Sequence, residues 1–123
     1  MALKESGEMY LETILVLSKQ KSCVRAIDIG EHMGYSKPSI SRAMGLLKKG
    51  GYVVVDENGY ISLTPSGLAV AEKILQRHAL LTKWLVSLGV DQAIATQDAC
   101  KMEHHISDES FQAIKHYLEQ TQN

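Results

Sequence analysis

The densest metal-donor chemistry in the chain lies in Cys100-Lys101-Met102-Glu103-His104-His105. On a helix, Cys100, Glu103 and His104 fall at i, i+3 and i+4 and share one face. A thiol, a carboxylate and an imidazole pointing the same way are the donors a divalent transition metal takes. The same spacing also suits a small buried cysteine beside a solvated Glu–His pair. Met9 and Glu12 form a second spacing of interest, at i and i+3 near the start of the chain. By default Met9 is core filler and Glu12 is exposed. A lone His78 on an apolar helix is ordinarily a structural residue.

These residues need elements to position them. Leu3, Met9, Tyr10, Ile14 and Leu17 predict a helix over about residues 4 to 19. Val24 to Met33 reads as a short second helix with Ile27 and Ile29 inward, ended by Gly34 in a left-handed conformation. Ser36 is the N-cap of a third helix, Pro38 suits its first turn, and Ile40, Ala43, Met44 and Leu47 make its inward stripe. A short helix, a Gly-containing turn and a helix opening with small hydroxyl and basic residues form a helix-turn-helix pattern. Tyr52 to Val55 and Tyr60 to Leu63 read as two strands. Between them, Asn58-Gly59 favours a type I′ turn. A hairpin directly after a recognition helix is a wing, so the fold class is mainly α: an N-terminal winged helix-turn-helix with a two-stranded β wing.

Thr64-Pro65 opens a helix to about residue 87 with Leu68, Ala71, Ile74, Leu75, Leu81, Trp84 and Leu85 on its apolar side. Asp91 to His105 predicts another helix. Ser107 caps a last one, with Phe111, Ile114, Tyr117 and Leu118 on one side and Gln120 to Asn123 frayed. These three broad apolar faces exceed what a small winged helix needs for cover, and homodimerisation is their natural use. The boundaries expected are a winged-helix DNA-binding domain over 1–64 and a helical metal-binding and dimerisation domain over 65–123.

At 123 residues and 45% hydrophobic content the chain suits one globular domain or two small layers. No apolar run approaches the roughly 20 residues that span a membrane. The opening residues show no signal-peptide pattern and only two cysteines are present, which points to a cytoplasmic protein with reduced thiols. The net charge of −1 hides an asymmetry. Between Ser36 and Gly51 the charged residues are Lys37, Arg42, Lys48 and Lys49, with no acid. Residues 65–123 carry five Lys/Arg against seven Asp/Glu. A basic patch and an acidic half suggest a phosphate-contacting part and a cation-binding part, although ordinary charge scatter has the same appearance.

Glu8-Met9-Tyr10-Leu11-Glu12-Thr13-Ile14, the winged helix, Arg77-His78 and Ala99-Cys100-Lys101-Met102-Glu103-His104 together resemble the diphtheria toxin repressor and manganese transport regulator family. The likeness runs from about residue 7 to the end, with the pieces in the same order. It implies a metal-activated transcriptional repressor in the two-domain form, without the SH3-like domain of longer members. The resemblance places the activating metal between the first helix and the dimerisation helices. It makes Met9, His78, Cys100, Glu103 and His104 candidate ligands, and Glu12 matches a carboxylate of the manganese branch. The Met9 and Cys100 pair matches the iron branch, so the site is a hybrid. The iron branch's ancillary site would need a Glu near position 82 and a His near 96. Here those are Thr82 and Thr96. His105 is read as a supporting or solvated neighbour, and His32, His116 and Cys23 as ordinary surface or packing residues.

Thioether and thiolate ligands suit Fe²⁺, Co²⁺, Ni²⁺ or Zn²⁺ better than Mn²⁺, and cellular availability then points to Fe²⁺ as the activator, with Mn²⁺ as the alternative and Co²⁺, Ni²⁺ or Zn²⁺ as substitutes in vitro. The expected partners are a second copy of the chain and a palindromic double-stranded operator, with no membrane and no small-molecule substrate. Ser36, Pro38, Ser39 and Ser41 suit close approach to base edges, and Arg42 a guanine or a phosphate. Lys37, Lys48, Lys49 and the wing near Asn58 suit phosphates. Two other readings remain at this point: a redox regulator sensing through Cys100, and a metal-dependent enzyme, for which no nucleophile, base and orienter are found together.

Overall fold

The structure is a computed structural model that describes residues 4–121. Its elements in order are α1 (Glu5–Gln20), α2 (Ala26–Met33), α3 (Lys37–Lys49), β1 (Val53–Val55), β2 (Ile61–Leu63), α4 (Pro65–Ser87), α5 (Gln92–Met102) and α6 (Asp108–Thr121). Two compact units divide the chain, one up to Lys73 and the other from Ile74, so the division falls within α4. Among the described residues no helix is long and apolar enough to cross a membrane.

In the first unit, α1 has Glu5 and Glu8 in its first turn and Lys19 in its last, charges that complement the helix dipole. It buries Leu11, Ile14, Leu15 and Leu17, whereas Leu3 of the expected stripe lies outside the described residues. At the start of α2, an Asp28 carboxylate oxygen accepts from the Arg25 backbone N–H at 2.9 Å. Gly34 ends α2 with φ 73°, the left-handed conformation expected there. Ile29 is fully buried, but Ile27 is 67% exposed, against the inward placement read from sequence. Two positions along a helix rotate a side chain by about 200°, and this short helix buries one stripe only.

Ser36 caps α3, its Oγ accepting from the Ser39 backbone N–H at 3.4 Å, and Ile40, Met44 and Leu47 are buried. Strands β1 and β2 pair antiparallel with Val53 opposite Leu63 and Val55 opposite Ile61. The backbone N–H of Ile61 also donates to the Val24 carbonyl at 2.8 Å, tying the wing to the entry of α2.

The wing turn is not type I′. That turn needs positive φ at two consecutive residues, but among the described residues only glycines adopt positive φ, here Gly59 at 81°. Asp56 organises the turn instead. Its Oδ1 accepts from the N–H groups of Asn58 and Tyr60 at 2.9 Å each, while its carbonyl accepts from Gly59 N–H at 3.0 Å.

Thr64 caps α4, accepting from Gly67 N–H at 3.1 Å and donating to the Gly51 carbonyl at 2.7 Å. Gly67 is required by close approach: a Cβ there would stand 2.0 Å from the Tyr52 carbonyl oxygen.

In the second unit, Asp91 caps α5 through its carboxylate and the Ala93 N–H, 3.2 Å apart. Ser107 caps α6 through the Ser110 N–H at 3.1 Å. Ile74, Leu81, Ala95, Ala99, Phe111 and Leu118 are buried. Tyr117, expected beside Phe111 and Leu118, is 54% exposed. Helix α6 continues through Gln120 to Thr121 rather than fraying at Gln120. Residues 122–123 of the expected frayed end lie outside the described residues.

Candidate functional site

Helix α5 ends at Met102, three residues before the expected His105. Glu103 is its C-cap, still in right-handed conformation, and His104 and His105 belong to a tight turn in which the N–H groups of His105 and Ile106 both donate to the Met102 carbonyl. Just beyond, Ser107 caps α6, so a new helix starts within a few residues of the end of α5.

The turn leaves Glu103 fully buried. One of its carboxylate oxygens lies 2.8 Å from Nδ1 of His78, reaching over from α4. The other lies 3.3 Å from Nε2 of His104, whose side chain is also buried. A fully buried carboxylate is tolerated only with close polar or charged partners; the His78 nitrogen is within hydrogen-bond distance of one oxygen, whereas the His104 nitrogen is close to the other without a hydrogen bond between them. Cys100, half-buried with a reduced thiol, precedes Glu103 by three positions. Thus the second unit brings His78, Glu103 and His104 together. Among the described residues no three His, Cys, Asp or Glu side chains already converge as a ready-made cage. Two imidazoles, a buried carboxylate and a thiol nevertheless fit a divalent transition ion by donor type.

Met9 and Glu12 belong to the first unit, where both are half-buried on α1. Between them Tyr10 is buried, its ring edge-on to that of Tyr35 with centroids 6.0 Å apart. Burial, with a smaller contribution from Tyr35, pushes the Tyr10 hydroxyl above its ordinary pKa.

Thr82 and Thr96 both spend their hydroxyls within their own helices, donating to the carbonyls of His78 at 2.8 Å and Gln92 at 2.9 Å. Neither offers the carboxylate or imidazole an ancillary site of the iron-branch kind would use.

The nine residues expected at nucleic acid, Ser36, Lys37, Pro38, Ser39, Ser41, Arg42, Lys48, Lys49 and Asn58, are all exposed. The first six occupy the N-cap and opening turns of α3, the two lysines its last turn, and Asn58 the wing tip. Sequence reasoning gave no role to two arginines. Arg25, exposed ahead of α2, lies 4.7 Å over the Tyr60 ring and donates to its hydroxyl at 3.2 Å, linking the helix-turn-helix to the wing. Its signal was a basic residue directly preceding a helix start. Arg77, beside His78 on α4, is 6% exposed; a charge on the buried side of an apolar helix was the clue.

A winged helix followed by a helical unit with a buried carboxylate close to two imidazoles is the architecture of a DNA-binding regulator with donors suited to a metal. Residues 2–62 match the model of the iron dependent repressor N-terminal DNA binding domain. Residues 64–123 match that of the iron dependent repressor metal binding and dimerisation domain. The transcriptional regulator MntR of Lysinibacillus sphaericus is 33% identical over 109 residues, 89% of this chain and 78% of that protein. MntR of Salmonella typhimurium is 31% identical over 117 residues, 95% of this chain and 74% of that protein. Among solved structures, the manganese regulator SloR superposes with a TM-score of 0.82 at 25% identity, covering 97% of this chain and 55% of that one. A manganese-dependent transcriptional repressor in complex with manganese gives 0.82 at 29% identity, covering 91% of this chain and 52% of that one. The chain thus spans about half the length of these solved relatives. It belongs to the diphtheria toxin repressor and manganese transport regulator family of metal-dependent transcriptional repressors. The matched family models are those of a repressor, and the matched relatives are transcriptional regulators.

Proposed function

We propose that this chain represses metal-homeostasis genes, with Fe²⁺ as the physiological activator and Mn²⁺ second. The ligand candidates are Met9, Glu12, His78, Cys100, Glu103 and His104. The observation that carries the metal reading is the buried Glu103 carboxylate, 2.8 Å from His78 and 3.3 Å from His104. When bound, a divalent ion supplies a compact positive charge there. The chain's own part is to keep the carboxylate dry, to orient His78 by its contact with Glu103, and to offer sulfur from Met9 and Cys100. Sulfur donors suit Fe²⁺, Co²⁺, Ni²⁺ or Zn²⁺ better than oxygen-seeking Mn²⁺, and raw affinity does not choose iron over zinc, so cellular availability does.

The domain division adopted is 1–64 for DNA and 65–123 for metal and dimerisation. In the second region Val86, Leu88, Ile94 and Tyr117 are exposed, apolar surface that a homodimer would cover. A symmetric dimer reads a palindromic operator, with α3 of each copy in the major groove. Ser36, Pro38, Ser39 and Ser41 approach base edges. Arg42 takes a guanine or phosphate, and Lys37, Lys48, Lys49 and Asn58 take the backbone. Arg25, braced by Tyr60, adds a phosphate contact. If the metal-loaded state binds operator better, the two ligands favour each other by the same factor, typically about 1–3 kcal/mol.

The test is operator binding by the purified chain across Fe²⁺, Mn²⁺, Co²⁺ and Zn²⁺ without oxygen. Tightening by Fe²⁺ at lower free concentration than Mn²⁺ is expected. Binding indifferent to every metal would remove the reading, and Mn²⁺ acting at lower concentration than Fe²⁺ would remove the iron assignment.

A further inference from the structure

Arg77 precedes His78 on α4 and its side chain is almost wholly buried. Its Nη1 donates to two backbone carbonyls, Glu103 at 3.1 Å and Ile106 at 2.9 Å. Its Nη2 donates to the carboxylate of Asp108 at the start of α6. The guanidinium carbon lies 5.5 Å from the centre of the Phe111 ring. One cation therefore fastens the C-cap of α5, the turn after it and the first residue of α6. The last carbonyls of a helix have no intrahelical donor, and a planar guanidinium can serve several acceptors at once from fixed directions.

Glu103 is held twice as a result. Arg77 grips its main chain and His78 grips its carboxylate. His104 is the next residue in the same turn. We propose that Arg77 is a positioning residue for the Glu103–His104 turn, presetting it for a divalent ion that Arg77 never touches. This rests on the reading that Glu103 and His104 are ligands. The carbonyl it grips belongs to the same residue whose carboxylate meets His78.

The experiment measures Co²⁺ and Mn²⁺ binding to the full chain, with the visible absorption of the Co²⁺ form as a report on ligand geometry. Arg77→Lys keeps the charge but cannot span the same acceptors. Its Co²⁺ and Mn²⁺ affinities should fall about 10–100-fold, as for losses of residues that orient metal ligands. Its Co²⁺ bands should shift, while metal-free helix content stays that of the parent. Phe111→Leu, which thins the packing but leaves the hydrogen bonds, should keep the parent spectrum. Asp108→Asn should weaken binding to a smaller degree. Parent affinity and spectrum in Arg77→Lys would overturn the inference and leave the ligand reading standing. So would an equal loss in Phe111→Leu. If Arg77→Lys does not fold, parent-like binding by Asp108→Asn overturns it. Absence of Co²⁺ and Mn²⁺ binding in the parent would remove the ligand reading and the inference with it.

Discussion

His78 Nδ1 lies 2.8 Å from the Glu103 carboxylate, joining α4 to the C-cap of α5 across 25 positions of sequence. Glu103 has no solvent exposure, so this imidazole replaces water for one of its oxygens. His78→Ala should cost the metal-free protein about 1–3 kcal/mol, the usual penalty of removing a partner from a buried polar group. It should also abolish tight metal binding. Urea unfolding of the metal-free chain and calorimetric metal titration check the two parts separately.

Metal choice should follow the sulfur donors. Met9→Asp combined with Cys100→Glu replaces thioether and thiol by carboxylates, which suit Mn²⁺. The double variant should need less Mn²⁺, relative to Fe²⁺, to reach half-maximal operator binding. An unchanged ratio would show that softness does not set the preference.

Gly67→Ala should destabilise the winged helix. The added Cβ would meet the Tyr52 carbonyl oxygen at 2.0 Å, so backbone must move. Overpacking of this kind costs about 1–3 kcal/mol, against the gain of roughly 1 kcal/mol that alanine brings to an open helix. The sign of the change in melting temperature is the readout, and a rise would contradict the close approach.

Asp28 gives the first unit an acid-sensitive contact. A hydrogen bond from Lys21, then one from the Arg25 N–H, hold its carboxyl below its ordinary pKa. A lowered folded pKa means stability that is present above the unfolded value and lost as pH falls through the folded one. Asp28→Asn should therefore melt earlier than the parent at neutral pH. The gap should close as pH drops through the carboxylate range. A gap independent of pH would assign the effect to something other than the charge.

Lys48 and Lys49 close α3 and are exposed. Replacing both by Ala should weaken operator and random DNA alike. The slope of log affinity against log salt should flatten by about 0.9 for each phosphate that is no longer neutralised. An unchanged slope, with weaker binding to operator only, would make them base readers instead.

Helices read well from sequence where their signals were local. Ser36, Thr64 and Ser107 cap the elements they precede, and Gly34 stops α2, because caps and stops depend on neighbours within a few residues. Ile27 and Tyr117 escape a sequence reading because apolar character does not say which of two candidate faces meets a partner. The wing turn escapes it because Asp56, not Asn58-Gly59 alone, directs the hydrogen bonds there.

Sequence alone, through residue types and short-range spacing, determined that donors cluster at Cys100, Glu103 and His104, that a recognition helix starts at Ser36, and that a wing follows. Tertiary structure decided that Glu103 is a dry C-cap rather than a mid-helix residue, that His78 and Arg77 grip its two ends, and that Gly67 serves the Tyr52 carbonyl. The reason is range. Capping and periodicity act over one or two turns, whereas burial and the pairing of a buried charge depend on groups brought together from distant parts of the chain, which no local pattern encodes.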